Sequence, residues 1–102
     1  MENRGNARGF GVKTSLSRKD GEDLGVAGLG FLAGDSERLT RFLGLSGLGP
    51  DNLRAAAAAP GFLAAVLDYL LSDEPLLLAF AAEQGIGPER VASARRAMDG
   101  PG

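Results

Sequence analysis

From residue 22 onward, apolar residues recur every three or four positions, the period of helices buried on one face. The first such segment runs from Glu22 to Ala33, with Leu24, Leu29, Phe31 and Leu32 as its apolar positions. Gly25, Gly28 and Gly30 interrupt it, and each costs up to about 1 kcal/mol of helix stability against alanine. Tertiary packing must hold such a segment, and its glycines let another helix approach closely. Asp35 is placed as an N-cap, with Glu37 in the first turn, where the helix dipole favours a carboxylate. The helix it opens carries Leu39, Phe42 and Leu43 on one face and Arg38 and Arg41 on another. Gly47 suits the position just past a helix end, and Pro50 suits the first position of a third helix, with Asp51 behind it. That third helix carries Leu53 and the alanines 55–59, and Pro60 ends it.

The same order then returns. Residues 61–71 form a helix with Phe62, Leu63, Val66, Leu67 and Leu70 inside and Asp68 outside. Asp73 caps the next helix, and Pro75 is tolerated in its first turn. Leu76, Leu77, Leu78, Ala79 and Phe80 leave this helix almost no polar face, which predicts a central, buried position. Gly85 stops it. Pro88 and Glu89 open the last helix, lined by Val91, Ala94 and Met98, and residues 100–102 fray.

Displaced by 38 residues, the sequence matches itself without a gap from residue 24 to 56. Asp35 falls on Asp73, Leu39 on Leu77, Phe42 on Phe80, and Phe31 on Tyr69. Gly47, Gly49 and Pro50 fall on Gly85, Gly87 and Pro88. The matched positions are caps, core and turns, the features that specify a backbone. The expected fold is all-α, a compact bundle of about six short helices from two pseudo-symmetric three-helix repeats, residues 24–56 and 62–94. Two units are too few for a solenoid.

Composition adds boundaries. The chain of 102 residues has room for one domain, placed at residues 21–99, after a basic tail at residues 1–20 that reads as disordered. Residues 1–19 set Arg4, Arg8, Lys13, Arg18 and Lys19 against Glu2 alone, a balance of +4 within a total of −2. The remainder carries −6, so the folded part repels nucleic acid and anionic membranes on average. No stretch reads as a signal peptide or a membrane span, which predicts a soluble, cytoplasmic protein.

Candidate chemistry is sparse. There is no Cys and no His, which excludes a transition-metal site built from those ligands, and no cofactor motif is present. Ser36, Ser46, Ser72 and Ser93 have no identifiable partner base. Asp68, Asp73 and Glu74 are close in sequence, yet Asp73 reads as a cap and the other two as solvated. No enzyme is expected. The sharper signal is Gly-Leu-Gly-Pro at 47–50 and Gly-Ile-Gly-Pro at 85–88. It looks like the hairpin of tandem helix-hairpin-helix modules, in which turn amides face a nucleic-acid phosphate. On that alternative, Gly47, Gly49, Gly85, Gly87, Arg95 and Arg96 contact the DNA or RNA backbone. Asp51 and Glu89 oppose it, because a carboxylate in the first turn repels a second anion.

The stretch from Leu24 to Met98 resembles a bacterial family of unknown function, the domain of unknown function family numbered 3572. The resemblance rests on DSERLTRFL at 35–43, PGFLAAVLDYL at 60–70 and DEPLLLAFA at 73–81. It implies a short cytoplasmic all-α protein and supplies no activity, cofactor or catalytic residue. The chain departs from the family in its first helix, where alanines are more usual than glycines. The leading expectation is a small non-catalytic protein-interaction or regulatory module. Its motivation is the apolar set Leu76–Leu78, Phe80, Phe62, Phe42 and Tyr69, part of which would lie exposed to a protein partner or a second copy.

Overall fold

The computed structural model describes residues 16–47, 49–59 and 61–99. Among them are six helices and no strand: α1 (Arg18–Ala33), α2 (Ser36–Ser46), α3 (Leu53–Ala57), α4 (Phe62–Leu71), α5 (Glu74–Gln84) and α6 (Pro88–Met98), with a 3-10 turn at Pro50–Asn52 ahead of α3. The tail at residues 1–15, the end at 100–102, Leu48 and Pro60 lie outside the described residues.

Helix α1 begins at Arg18, earlier than its apolar pattern predicts, so residues 18–20 belong to the helical domain and not to the tail. Its start is a reciprocal cap. The Ser17 hydroxyl accepts the Asp20 amide at 3.1 Å, and the Asp20 carboxylate accepts the Ser17 amide at 2.9 Å. Lys19 and Asp23 add an exposed pair one turn on, at 3.2 Å. The other predicted caps form. Asp35 accepts the amides of Glu37 and Arg38, and Asp73 accepts that of Leu76 at 3.1 Å. Gly47 and Gly85 end α2 and α5 at φ 74° and 70°, a left-handed conformation that costs other residues about 1 kcal/mol or more.

The third helix is shorter than predicted. Asn52 accepts the Gly49 amide at 2.9 Å through its side chain and donates its own amide to the Gly49 carbonyl, which tightens the entry into a 3-10 turn. The alanines beyond offer little bulk to anchor, and α3 ends at Ala57.

Helices α1 and α4 make the centre, and α6 lies along α1. The glycines explain how. A Cβ on Gly25 would fall 2.8 Å from Leu63 Cβ, and one on Gly21 2.5 Å from the Ala94 carbonyl oxygen. On Gly28 it would meet Leu70 Cδ1 at 3.0 Å and Val66 Cγ1 at 3.1 Å. Gly21, Gly25 and Gly28 lie on one buried face of α1, against which α4 and α6 seat. Leu32, Val66, Leu67, Leu70, Phe80 and Val91 are fully buried there, each worth about 1.5–3 kcal/mol of transfer free energy. Two aromatic contacts tie α2 and α5 to this centre. Phe42 of α2 packs edge-on to Tyr69 of α4 at 5.2 Å between centroids, and Phe80 of α5 packs on Phe31 of α1 at 5.4 Å.

Helix α5 is not central, contrary to its apolar sequence. It lies on α4 and α6 and buries Phe80 and Ala81. Leu76 and Leu77 are half-buried, and Leu78 is 48% exposed. The central place is taken by α1, because only a helix lined with glycine fits that closely against α4.

Candidate functional site

In the two Gly-X-Gly-Pro turns, three of the four glycine amides are bonded within the chain. The Gly47 amide donates to the Leu43 carbonyl. In the second turn the Gly85 amide donates to Ala82 and the Ile86 amide to Ala81, at 3.1 and 3.0 Å, the paired closure of a left-handed helix end. The Gly49 amide is held by Asn52. The Glu89 carboxylate folds over Gly87, into space a Cβ would need. Of the two arginines assigned to backbone contact, Arg95 donates through Nε to Asp68 at 2.9 Å, and its Nη1 lies 2.9 Å from Asp99. Nη1 is solvent-shielded, and its contact with Asp99 is ionic and not a well-aligned hydrogen bond. Asp99 and then Asp68 hold the Arg95 guanidinium above its ordinary pKa. Arg96 is exposed and donates to the Ser93 hydroxyl at 3.1 Å. The structure places these six residues on the two turns and at consecutive positions of α6, about 100° apart, with the amides of Gly47, Gly49 and Gly85 bonded within the chain.

The candidate acids and nucleophiles do not converge. Asp68 pairs with Arg95, Asp73 caps α5, and Glu74 is exposed. Ser46 donates to the Phe42 carbonyl and Ser72 to the Tyr69 carbonyl at 2.7 Å. Among the described residues, no group of three or more acidic side chains could hold a metal ion. A cleft of about 370 Å³ opens between the N-termini of α2 and α5, with Asp35, Glu37, Arg38, Arg41, Tyr69 and Asp73 in its walls. Two of its carboxylates are spent as helix caps, and Arg38 stacks 4.6 Å over the Phe31 ring. Glu37, Arg41 and Tyr69 complete its polar lining.

The feature that stands apart is the outer face of α5. At 100° per residue, Pro75, Leu78, Ala79 and Ala82 share one side of the helix. Pro75, Leu78 and Ala82 are exposed, and Ala79 is half-buried. The face therefore has no polar residue. Other exposed large hydrophobics among the described residues, Val26 at 58% and Leu45 at 73%, stand on α1 and α2. Of the apolar set singled out from sequence, Phe42, Phe62 and Phe80 are core, and only Leu78 is exposed. An apolar helix without a polar side predicts burial, and the structure leaves its outer side open at Leu78.

Among the described residues, no helix is long and apolar enough to cross a membrane. No curated protein and no solved structure matches the chain. A family model does, over a stretch that opens on the first residue of α1 and takes in every helix of the bundle. The chain belongs to the family described as Protein of unknown function (DUF3572), whose model matches residues 18–101.

Proposed function

We propose that the chain is a small non-catalytic protein-interaction or regulatory module of the cytoplasm, and that α5 presents the surface it uses. The observation that carries this reading is the exposed apolar side of α5. A helix apolar all round is normally covered on every side. Here α4 and α6 cover one side, and Phe80 reaches Phe31 on the same inward side. A bound protein would cover the other.

We also infer that the domain is a duplication, residues 24–56 and 62–94, about a pseudo-two-fold axis. Three facts support it. The caps Asp35 and Asp73 have φ −136° and −133°, and the terminators Gly47 and Gly85 have φ 74° and 70°. The contacts Phe42–Tyr69 and Phe80–Phe31 exchange under the displacement of 38 residues. Gly25 meets Leu63 and Gly28 meets Val66, so each faces its own counterpart, as residues beside a two-fold axis do. The duplication supplies an internal control. The counterparts of Pro75, Leu78 and Ala82 are Glu37, Thr40 and Gly44, all exposed on α2. The fold accepts polar residues at the first two of these positions, so the apolar character of Pro75 and Leu78 in α5 points to binding.

The test is affinity purification of the full chain and of Leu78→Glu from the native cell, with mass spectrometry and circular dichroism in parallel. A partner retained by the parent and lost by a folded Leu78→Glu supports the reading. Identical recovery by both proteins sinks it. Salt-sensitive duplex binding that Arg96→Glu abolishes would replace it with the tandem-hairpin alternative.

A further inference from the structure

We infer that the occupant of the α5 face is a protein segment with an apolar stripe flanked by Lys or Arg, an inference that rests on the interaction reading above and specifies its partner. Charge selects this occupant. From residue 55 to 89 the chain has no Lys or Arg and five acids. Asp68 is neutralised by Arg95, Asp73 caps α5, and Glu89 lies over Gly87. The remaining two, Glu74 and Glu83, are exposed and form no ion pair among the described residues. By helical geometry they fall roughly 90° to either side of the apolar face, one near each end of α5. The face is thus an apolar strip between two carboxylates that form no ion pair, and at its Pro75 end it borders the cleft that Arg38 and Arg41 also line.

That rim selects among occupants. A second copy docking α5 on α5 would surround the strip with four carboxylates and bring no cation from that helix. A segment with Lys or Arg flanking its apolar residues meets each glutamate with an opposite charge. Such exposed pairs are individually weak, so they choose the partner more than they hold it, while the apolar contact supplies the affinity.

The test uses two designed amphipathic helical peptides with one shared leucine stripe, the first flanked by lysines, the second by glutamates. Binding of each to the full chain is measured by fluorescence anisotropy. The lysine peptide should bind about ten-fold more tightly at low ionic strength, and the discrimination should largely vanish at about 0.5 M salt. The double variant E74K/E83K should prefer the glutamate peptide, and Leu78→Ser should weaken both. Equal binding of the two peptides overturns the charge selection and leaves the apolar docking standing. Binding of neither, or preference unchanged in E74K/E83K, overturns the inference outright. The interaction reading itself is judged separately by recovery with Leu78→Glu.

Discussion

Substituting alanine for glycine within α1 separates two effects that a single variant would mix. Every Gly→Ala change in a helix interior gains about 1 kcal/mol of intrinsic stability. At Gly30 a Cβ meets nothing within 4 Å, so Gly30→Ala should show that gain in full. At Gly25 the Cβ would sit 2.8 Å from Leu63 Cβ and 3.1 Å from the Leu63 carbonyl oxygen. Carbon atoms pack best at about 3.5–4.0 Å, so α1 and α4 must part by several tenths of an ångström. Overpacking of this kind costs about 1–3 kcal/mol. The two variants should therefore differ by about 2 kcal/mol, with Gly25→Ala the less stable.

The same reasoning orders the series. Gly21→Ala meets the Ala94 carbonyl oxygen at 2.5 Å, a backbone atom that cannot turn aside, and should be at least as damaging as Gly25→Ala. Gly28→Ala meets the tips of Leu70 and Val66, which can shift, and should fall between the extremes. Thermal unfolding followed by far-UV circular dichroism reads the order. For a domain of this size, about 2 kcal/mol separates midpoints by roughly 8–16 °C. Equal shifts of the same sign for Gly25→Ala and Gly30→Ala would refute the close α1–α4 contact.

Further outcomes follow from the caps and ion pairs. Asp35→Ala and Asp73→Ala should each lower stability by about 1 kcal/mol in urea titrations, with Asn at either position retaining most of it. The Ser17 amide and hydroxyl hold the Asp20 carboxyl below its ordinary value of 3.8. A depressed folded pKa means its contribution is present above that value and is lost as pH falls through the folded pKa. Asp20→Asn should therefore flatten the acid side of the stability profile below about pH 4 and leave its neutral side little changed in slope. Arg95→Gln leaves Asp68 and Asp99 without their shared cation; a loss of about 1 kcal/mol is expected at low salt, and it should shrink in high salt.

What the sequence reveals depends on the range of the interaction. Asp35, Asp73, Gly47 and Gly85 were legible because a cap joins groups only a few residues apart. The Ser17–Asp20 cap is equally local, but its first turn, Arg18–Lys19–Asp20, lacks apolar residues and so hides from a search by apolar period. The pair Arg95–Asp68 spans 27 residues and rests on how α6 lies against α4, which no local pattern encodes. The place of α5 at the side of the bundle has the same origin. Apolar content says how much a helix would gain from burial, whereas shape decides which helix fits. Around the inferred axis, two bulky copies could not both approach. Glycine at 25 and 28 opposite Leu63 and Val66 resolves that conflict asymmetrically, and it puts the less apolar helix in the middle.

The outer face of α5 then has a sharp test, because under the inferred duplication α2 carries Glu37 and Thr40 at the positions of Pro75 and Leu78. If Pro75 and Leu78 serve the fold, replacing them with the α2 residues should unfold it. If they serve binding, the double variant P75E/L78T should fold like the parent. Pro75 and Leu78 are exposed, with about half of the Leu78 surface open at 48%, so only part of its apolar contact is lost. Glutamate in the first turn of α5 is favoured by the helix dipole. The stability change should stay within about 1 kcal/mol, the range of ordinary surface substitutions. Recovery of the partner, and binding of the lysine-flanked peptide, should be lost in the same variant. A loss of more than about 2 kcal/mol in urea titration would assign the face to the fold and withdraw it as a binding surface.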